Sequence, residues 1–208
     1  MKKAESGRVG WGLVRWGRGR RYWREAVDAL RRRGALRMHY EALRKVGECA
    51  HTESVWACAW APDGCTMVTT SSDGLARVWS AGDWSCLRTL SGHTHTVWAC
   101  AWAPDGSALV TASADKTARV WKVEDWSCLR TLTGHTGTVW ACAWAPDGSA
   151  LVTASADKTA RVWKVEDWSC LRTLTGHTNE LSACAWAPDG SALVTASDDG
   201  TARVWSDV

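Results

Sequence analysis

HTHTVWACAWAPDGSALVTASADKTARVWKVEDWSCLRTL, residues 93–132, is followed by its own copy: residues 135–174 differ from it at one position, His95 against Gly137. The interval of 42 residues holds beyond this pair. His51, His93, His135 and His177 are 42 apart, and so are Trp79, Trp121, Trp163 and Trp205. A period of about 20–50 residues marks a repeat architecture, in which each unit buries its apolar surface only against its neighbours. The four units span about 51–90, 93–132, 135–174 and 177–206. The near identity of two of them is the trace of an internal duplication.

Within a unit the local signals are those of strands. VWACAW (97–102) is short, apolar and bounded by APDG (103–106), with Pro, Asp and Gly in the order a tight turn requires. SALVTAS (107–113), ARVWK (118–122) and WSCLRTL (126–132) follow, with ADKT (114–117) turning the chain between the first two. Four short strands joined by turns make a meander of antiparallel hairpins. Both faces of such a sheet are apolar here, so it must be sandwiched between copies of itself. The expected fold is all-β: four four-stranded antiparallel sheets over 48–208, preceded by a basic extension over 1–47. The last unit stops at Val208, after its third strand.

The unit, from its Gly-His through WAPDG to SADKTARVW, resembles the WD40 repeat over residues 51–206. The Asp that follows the Trp in that family is replaced by Ser80, Lys122, Lys164 and Ser206. The resemblance implies propeller blades, and in each blade a buried network of His, Thr, Asp and Trp. The corresponding sets are His51, Thr69, Asp73, Trp79; His93, Thr111, Asp115, Trp121; His135, Thr153, Asp157, Trp163; and His177, Thr195, Asp199, Trp205. It also implies that Trp60, Trp102, Trp144 and Trp186 are core aromatics, and that Trp84, Trp126 and Trp168 cover the rim. Family rings commonly have seven blades, so four should form an open arc, with self-association through the exposed blade ends.

A hydroxyl, a His and an Asp recurring together could be read as a hydrolytic triad. A catalytic site needs one asymmetric constellation, however, and this set is copied four times at structural positions. Cys49 and His51 lack a second Cys pair to complete a metal site, and there is no phosphate-binding GxxxxGK[ST] loop. The expectation is a protein that is not an enzyme and has no metal or cofactor. Seven of the 9 Cys recur at the repeat interval, which makes them repeat positions rather than a disulfide framework. With no apolar run of about 18 residues and no secretory signal, an intracellular location, cytoplasmic or nuclear, is expected. Organelle targeting by the Arg-rich N-terminus stays open.

Charge divides the chain. Residues 1–47 carry 14 Lys/Arg and 4 Asp/Glu, a balance of +10; residues 48–208 carry 11 and 18, a balance of −7; together they give +3. Helical spacing of Trp23, Val27, Leu30, Leu36, Tyr40 and Leu43 predicts a helix over 22–46. Residues 42–46 also resemble the outer strand at 86–90 and could complete the last blade instead. Arg31, Arg32, Arg33 and Arg37 are candidate anion contacts. They could equally lie against the acidic blades, form a solvated face or belong to a targeting extension.

The resemblance places partner contacts on the top face, at the start of the first strand and just before the turn Asp. Those positions are Trp56, Trp98, Trp140 and Ser182, with Ser54, Thr96, Thr138 and Glu180 two residues earlier, and Ser72, Ala114, Ala156 and Asp198. Three Trp in register would anchor a partner well; packing between blades would explain them equally. The function expected is an interaction scaffold for a protein or peptide on this face. The alternative is a nucleic-acid-associated protein acting through its basic arm.

Overall fold

The computed structural model describes residues 50–206; the helix predicted over 22–46, the strand reading of 42–46 and the arm's arginines lie outside the described residues. Each repeat forms one antiparallel sheet. Blade 1 holds β1 (Val55–Trp60), β2 (Thr66–Ser71), β3 (Ala76–Ser80) and β4 (Cys86–Leu90). Blade 2 holds β5 (Val97–Trp102), β6 (Ala108–Ser113), β7 (Ala118–Lys122) and β8 (Cys128–Leu132). Blade 3 holds β9 (Val139–Trp144), β10 (Ala150–Ser155), β11 (Ala160–Lys164) and β12 (Cys170–Leu174). Blade 4 holds β13 (Leu181–Trp186), β14 (Ala192–Ser197) and β15 (Ala202–Ser206). Strand order follows chain order in every sheet.

Blades 1 to 3 have the four strands expected; blade 4 has three among the described residues. Consecutive blades meet through their first strands, β1 on β5, β5 on β9 and β9 on β13, and these strands line the inside of the arc.

Alternation along the strands gives each blade two different apolar faces. Val110, Val120 and Leu132 of blade 2 point forward onto Val139, Cys142, Leu151 and Trp163 of blade 3. Val152, Val162 and Leu174 of blade 3 meet Leu181, Cys184 and Leu193 of blade 4 in the same way. Val68, Val78 and Leu90 of blade 1 meet Cys100, Leu109 and Trp121 of blade 2. The core is therefore three copies of one interface, a forward Val/Ala face against a backward Cys/Leu/Trp face.

Candidate functional site

The His of each repeat stands before the first strand and the Asp in the turn after the second. The structure brings them together at one end of the blade, with the hydroxyl and the indole behind them. In all four blades the Trp Nε1–H donates to the Thr Oγ1, the Thr Oγ1 lies against His Nε2, and His Nδ1 lies against the Asp Oδ2, every distance between 2.7 and 2.9 Å. In blades 2 to 4 a single direction satisfies every group: Trp gives to Thr, Thr gives to His Nε2, and His Nδ1–H gives to Asp; in blade 1 the Arg77 guanidinium also lies against His51 Nδ1. Each Asp also accepts the backbone N–H of the residue after the His, as Asp157 does from Thr136 at 3.0 Å. Removing one member strands its neighbours, at roughly 1–3 kcal/mol per unsatisfied buried group.

The electrostatics follow from this geometry. Burial pushes the carboxyls of Asp73, Asp115 and Asp157 upward, but the hydrogen bonds they accept outweigh it. His51 and Arg77 bring Asp73 down to about 2. His93 and Thr117 hold Asp115 well below the usual carboxylate range, and Thr159 and His135 lower Asp157. Asp199 is depressed chiefly by the Thr201 hydroxyl, with burial opposing and His177 assisting. Burial lowers His135 against the pull of Asp157, which favours the neutral ring the network needs. The His, Thr, Asp and Trp set recurs in all four blades, with Arg77 joining the Asp in blade 1 and Thr117, Thr159 and Thr201 joining it in blades 2 to 4.

Beside this network, the candidate partner positions converge. Ala114 N–H donates to Thr96 O at 2.9 Å, Ala156 N–H to Thr138 O at 2.8 Å, Asp198 N–H to Glu180 O at 2.9 Å and Ser72 N–H to Ser54 O at 2.9 Å. The start of the first strand and the residue before the turn Asp are thus direct neighbours in every blade. Trp56, Trp98, Trp140 and Ser182 each sit where the pairing of the first two strands slips by one residue. The slip is a β-bulge, which releases its extra residue from the alternation and re-aims the side chain. It sends three indoles sideways, from blade to blade, along the same end of the arc.

They form a ladder. The rings of Trp56 and Trp98 are 4.5 Å apart and those of Trp98 and Trp140 4.8 Å, tilted by 52° and 57°. Trp56 is 50% exposed and donates to Ser72 Oγ at 2.6 Å. Trp140 donates to Glu180 Oε2 at 3.0 Å, which places a carboxylate at the blade 4 end of the ladder with Asp198 beside it. The Trp98 N–H is buried within the stack and has no hydrogen-bond partner among the described residues. Of the two sequence readings of these Trp, the structure displays the blade-to-blade packing, with Trp56 also presenting surface. Ser182, with no indole, ends the row.

The family-core reading of the second Trp set is modified. Trp102 and Trp144 are half-buried and donate across the blade boundary to Ala59 O at 3.2 Å and Ala101 O at 3.1 Å. Trp60 is 53% exposed, because no blade of the described residues precedes it to take the same contact. Trp84, Trp126 and Trp168 stand edge-on to Trp60, Trp102 and Trp144 at 5.9–6.0 Å. An open groove at this opposite end, between blades 2 and 3, is lined by Pro104, Lys122, Trp144, Pro146, Glu166 and Trp168, none of them a predicted partner position.

Among the described residues no cluster of His, Cys, Asp or Glu is arranged to hold a metal ion, and no helix is long and apolar enough to cross a membrane. Comparison with known protein families finds the family described as WD domain, G-beta repeat, matching residues 43–80, 84–122, 126–164 and 168–206. Each match after the first begins at the outer strand of one blade and ends in the third strand of the next, so a sequence repeat straddles two blades. A comparison with curated proteins finds no match.

Proposed function

Because the chain belongs to the WD domain, G-beta repeat family, whose repeats generally serve as protein-interaction scaffolds, we propose that it binds an extended protein or peptide segment along its tryptophan ladder. The observation that carries this is the continuous indole row Trp56–Trp98–Trp140, which ends at the carboxylates of Glu180 and Asp198. Stacked indoles offer large contact area at low entropic cost, and Trp is enriched among binding hot spots. The acidic end favours a Lys or Arg side chain, placed next to an aromatic or aliphatic one over the ladder. Thr96, Thr138 and Ser182 border the row and supply polar contacts. Surface thiols at Cys65, Cys128 and Cys170, all free, suit a reducing, intracellular setting.

The test is a peptide array probed with the whole chain. Bound peptides should combine an apolar and a basic side chain, and the double substitution Trp98→Ala, Trp140→Ala should weaken their capture at least about tenfold, a loss typical of hot-spot truncation. Circular dichroism should stay near that of the parent, while the unfolding midpoint falls by the lost packing between blades. Collapse of the fold in the double variant, or undiminished capture, would remove the ladder as the binding site.

A further inference from the structure

The two ends of the arc expose the halves of an interface that the chain builds three times inside itself. The forward face of blade 4 carries the same valines as those of blades 2 and 3, without the outer-strand Leu that Leu132 and Leu174 supply there. Val194 and Val204 stand where Val110 and Val120, and Val152 and Val162, stand in the preceding blades. Those four are 0% exposed; Val194 is 38% and Val204 73% exposed. The backward face of blade 1 shows the complementary difference. Val55 is 43% exposed, whereas its counterparts Val97, Val139 and Leu181 are at 0%. Cys58 is exposed, whereas Cys100 and Cys142 are buried. The residue types are nearly the same; the difference comes from the missing neighbouring blade and, at Val204, also from the missing outer strand.

We propose that a second copy of this chain docks on these faces head to tail, blade 4 of one copy against blade 1 of the next. The complementarity is established within the chain: a forward Val/Ala face already receives a backward Cys/Leu/Trp face at each of three boundaries. Blade 1 presents Val55 and Cys58, with a half-buried Met67, where blade 2 has Val97, Cys100 and Leu109, a conservative set, while Trp79 is already buried as Trp121 is. Two forward faces brought together would match valine to valine with no larger side chain to fill the space, so the contact is heterologous. None of Val55, Val194, Val204, Cys58 or Met67 carries a charge, and exposed apolar faces of this kind favour association. Two chains joined at both ends hold eight blades, the upper end of the range of about 4–8 found in closed propellers. The Val194 and Val204 face carries no residue of the tryptophan ladder, so Val204→Glu tests the contact apart from the peptide-binding reading, whereas Val55 adjoins Trp56.

The test is the mass of the 208-residue chain in solution by light scattering across a dilution series. Species at multiples of 22.7 kDa should grow with concentration. Val204→Glu should hold the protein at the single-chain mass. It should leave the circular dichroism and the unfolding midpoint of the dilute protein unchanged, because Val204 faces solvent in one chain. Val55→Glu should do the same from the other side. Mixing the two variants should restore a two-chain species, because each retains the face that the other lacks. A single-chain mass at the highest soluble concentration would overturn the proposal. So would an assembly that survives Val204→Glu, or a mixture of the two variants that stays at the single-chain mass.

Discussion

His135 shows how one residue ties a repeat to its blade. Its ring takes the Thr153 hydroxyl on one nitrogen and gives to Asp157 from the other, while Trp163 supplies the hydroxyl's second bond. Two ionisable groups are therefore held in the states least favoured by acid. Asp73, Asp115, Asp157 and Asp199 are depressed below the ordinary carboxylate value, so their stabilising contribution is complete above about pH 4 and is lost as pH falls through the folded values. His135 is depressed from its ordinary value of about 6.5, so its contribution is complete above that pH and declines below it. Both effects have the same sign. The denaturant midpoint should be level near neutrality, begin to fall below about pH 6.5 and fall steeply below about pH 4. A midpoint unchanged from pH 7 to pH 3, at constant ionic strength, would contradict this account of the network.

At the scale of the element, the links between strands demand backbone shapes that only certain residues tolerate. The Gly before the network His of blades 2, 3 and 4 takes a positive φ, +141° at Gly92, +124° at Gly134 and +135° at Gly176. The guanidinium of Arg119, Arg161 or Arg203 lies over it, and Arg161 Nη2 donates to Gly134 O at 2.9 Å. A β-carbon at Gly134 would stand 2.5 Å from Arg161 Nη1. At Gly64, φ is +69° and a β-carbon would meet nothing within 4 Å. Gly64→Ala should therefore cost only the left-handed backbone penalty of about 1 kcal/mol. Gly134→Ala should cost clearly more, because φ of +124° lies outside the left-handed helical region that alanine tolerates at Gly64, and the flexible guanidinium must shift as well. Equal losses in chemical denaturation would contradict this ranking. Trp84, Trp126 and Trp168 pay a similar backbone cost without being glycine, with φ between 60° and 63°. Each places its indole edge-on against a first-strand Trp, and that packing offsets the strain.

For the whole molecule, identical residues have different energetic weight according to the blade that carries them. Val162 and Val204 are the same position of the repeat, one at 0% and the other at 73% exposure. Val162→Ala removes two methyl groups from a closed interface and should destabilise the fold by roughly 2 kcal/mol. Val204→Ala in the dilute single chain should change it by less than about 0.5 kcal/mol, as surface substitutions do. Similar losses at both positions would mean that the blade 4 face is covered in solution even when the chain is dilute. The same gradient governs dynamics: amide exchange should be slowest in β6 and β10, enclosed on both faces, and faster in β1 and β15 at the ends.

The period of 42 residues, the turn at each APDG and the strands between them were legible in the sequence, because they rest on local chemistry: Pro and Gly set the turn dihedrals, and β-branched and aromatic residues favour pleated backbone. So was the family, since its motifs recur at a constant interval. The course of the tryptophans was not. VWACAW reads as plain alternation, and nothing in its six residues announces the bulge that turns Trp98 out of the sheet and into a stack with its two equivalents. Nor does the sequence of a repeat distinguish Val162 from Val204, or Trp102 from Trp60, because what separates them is whether another blade, and for Val162 an outer strand, lies against them. Local propensity acts within a strand and is written in it. Burial belongs to the contact between blades, and only the tertiary structure decides which copies of a residue receive one.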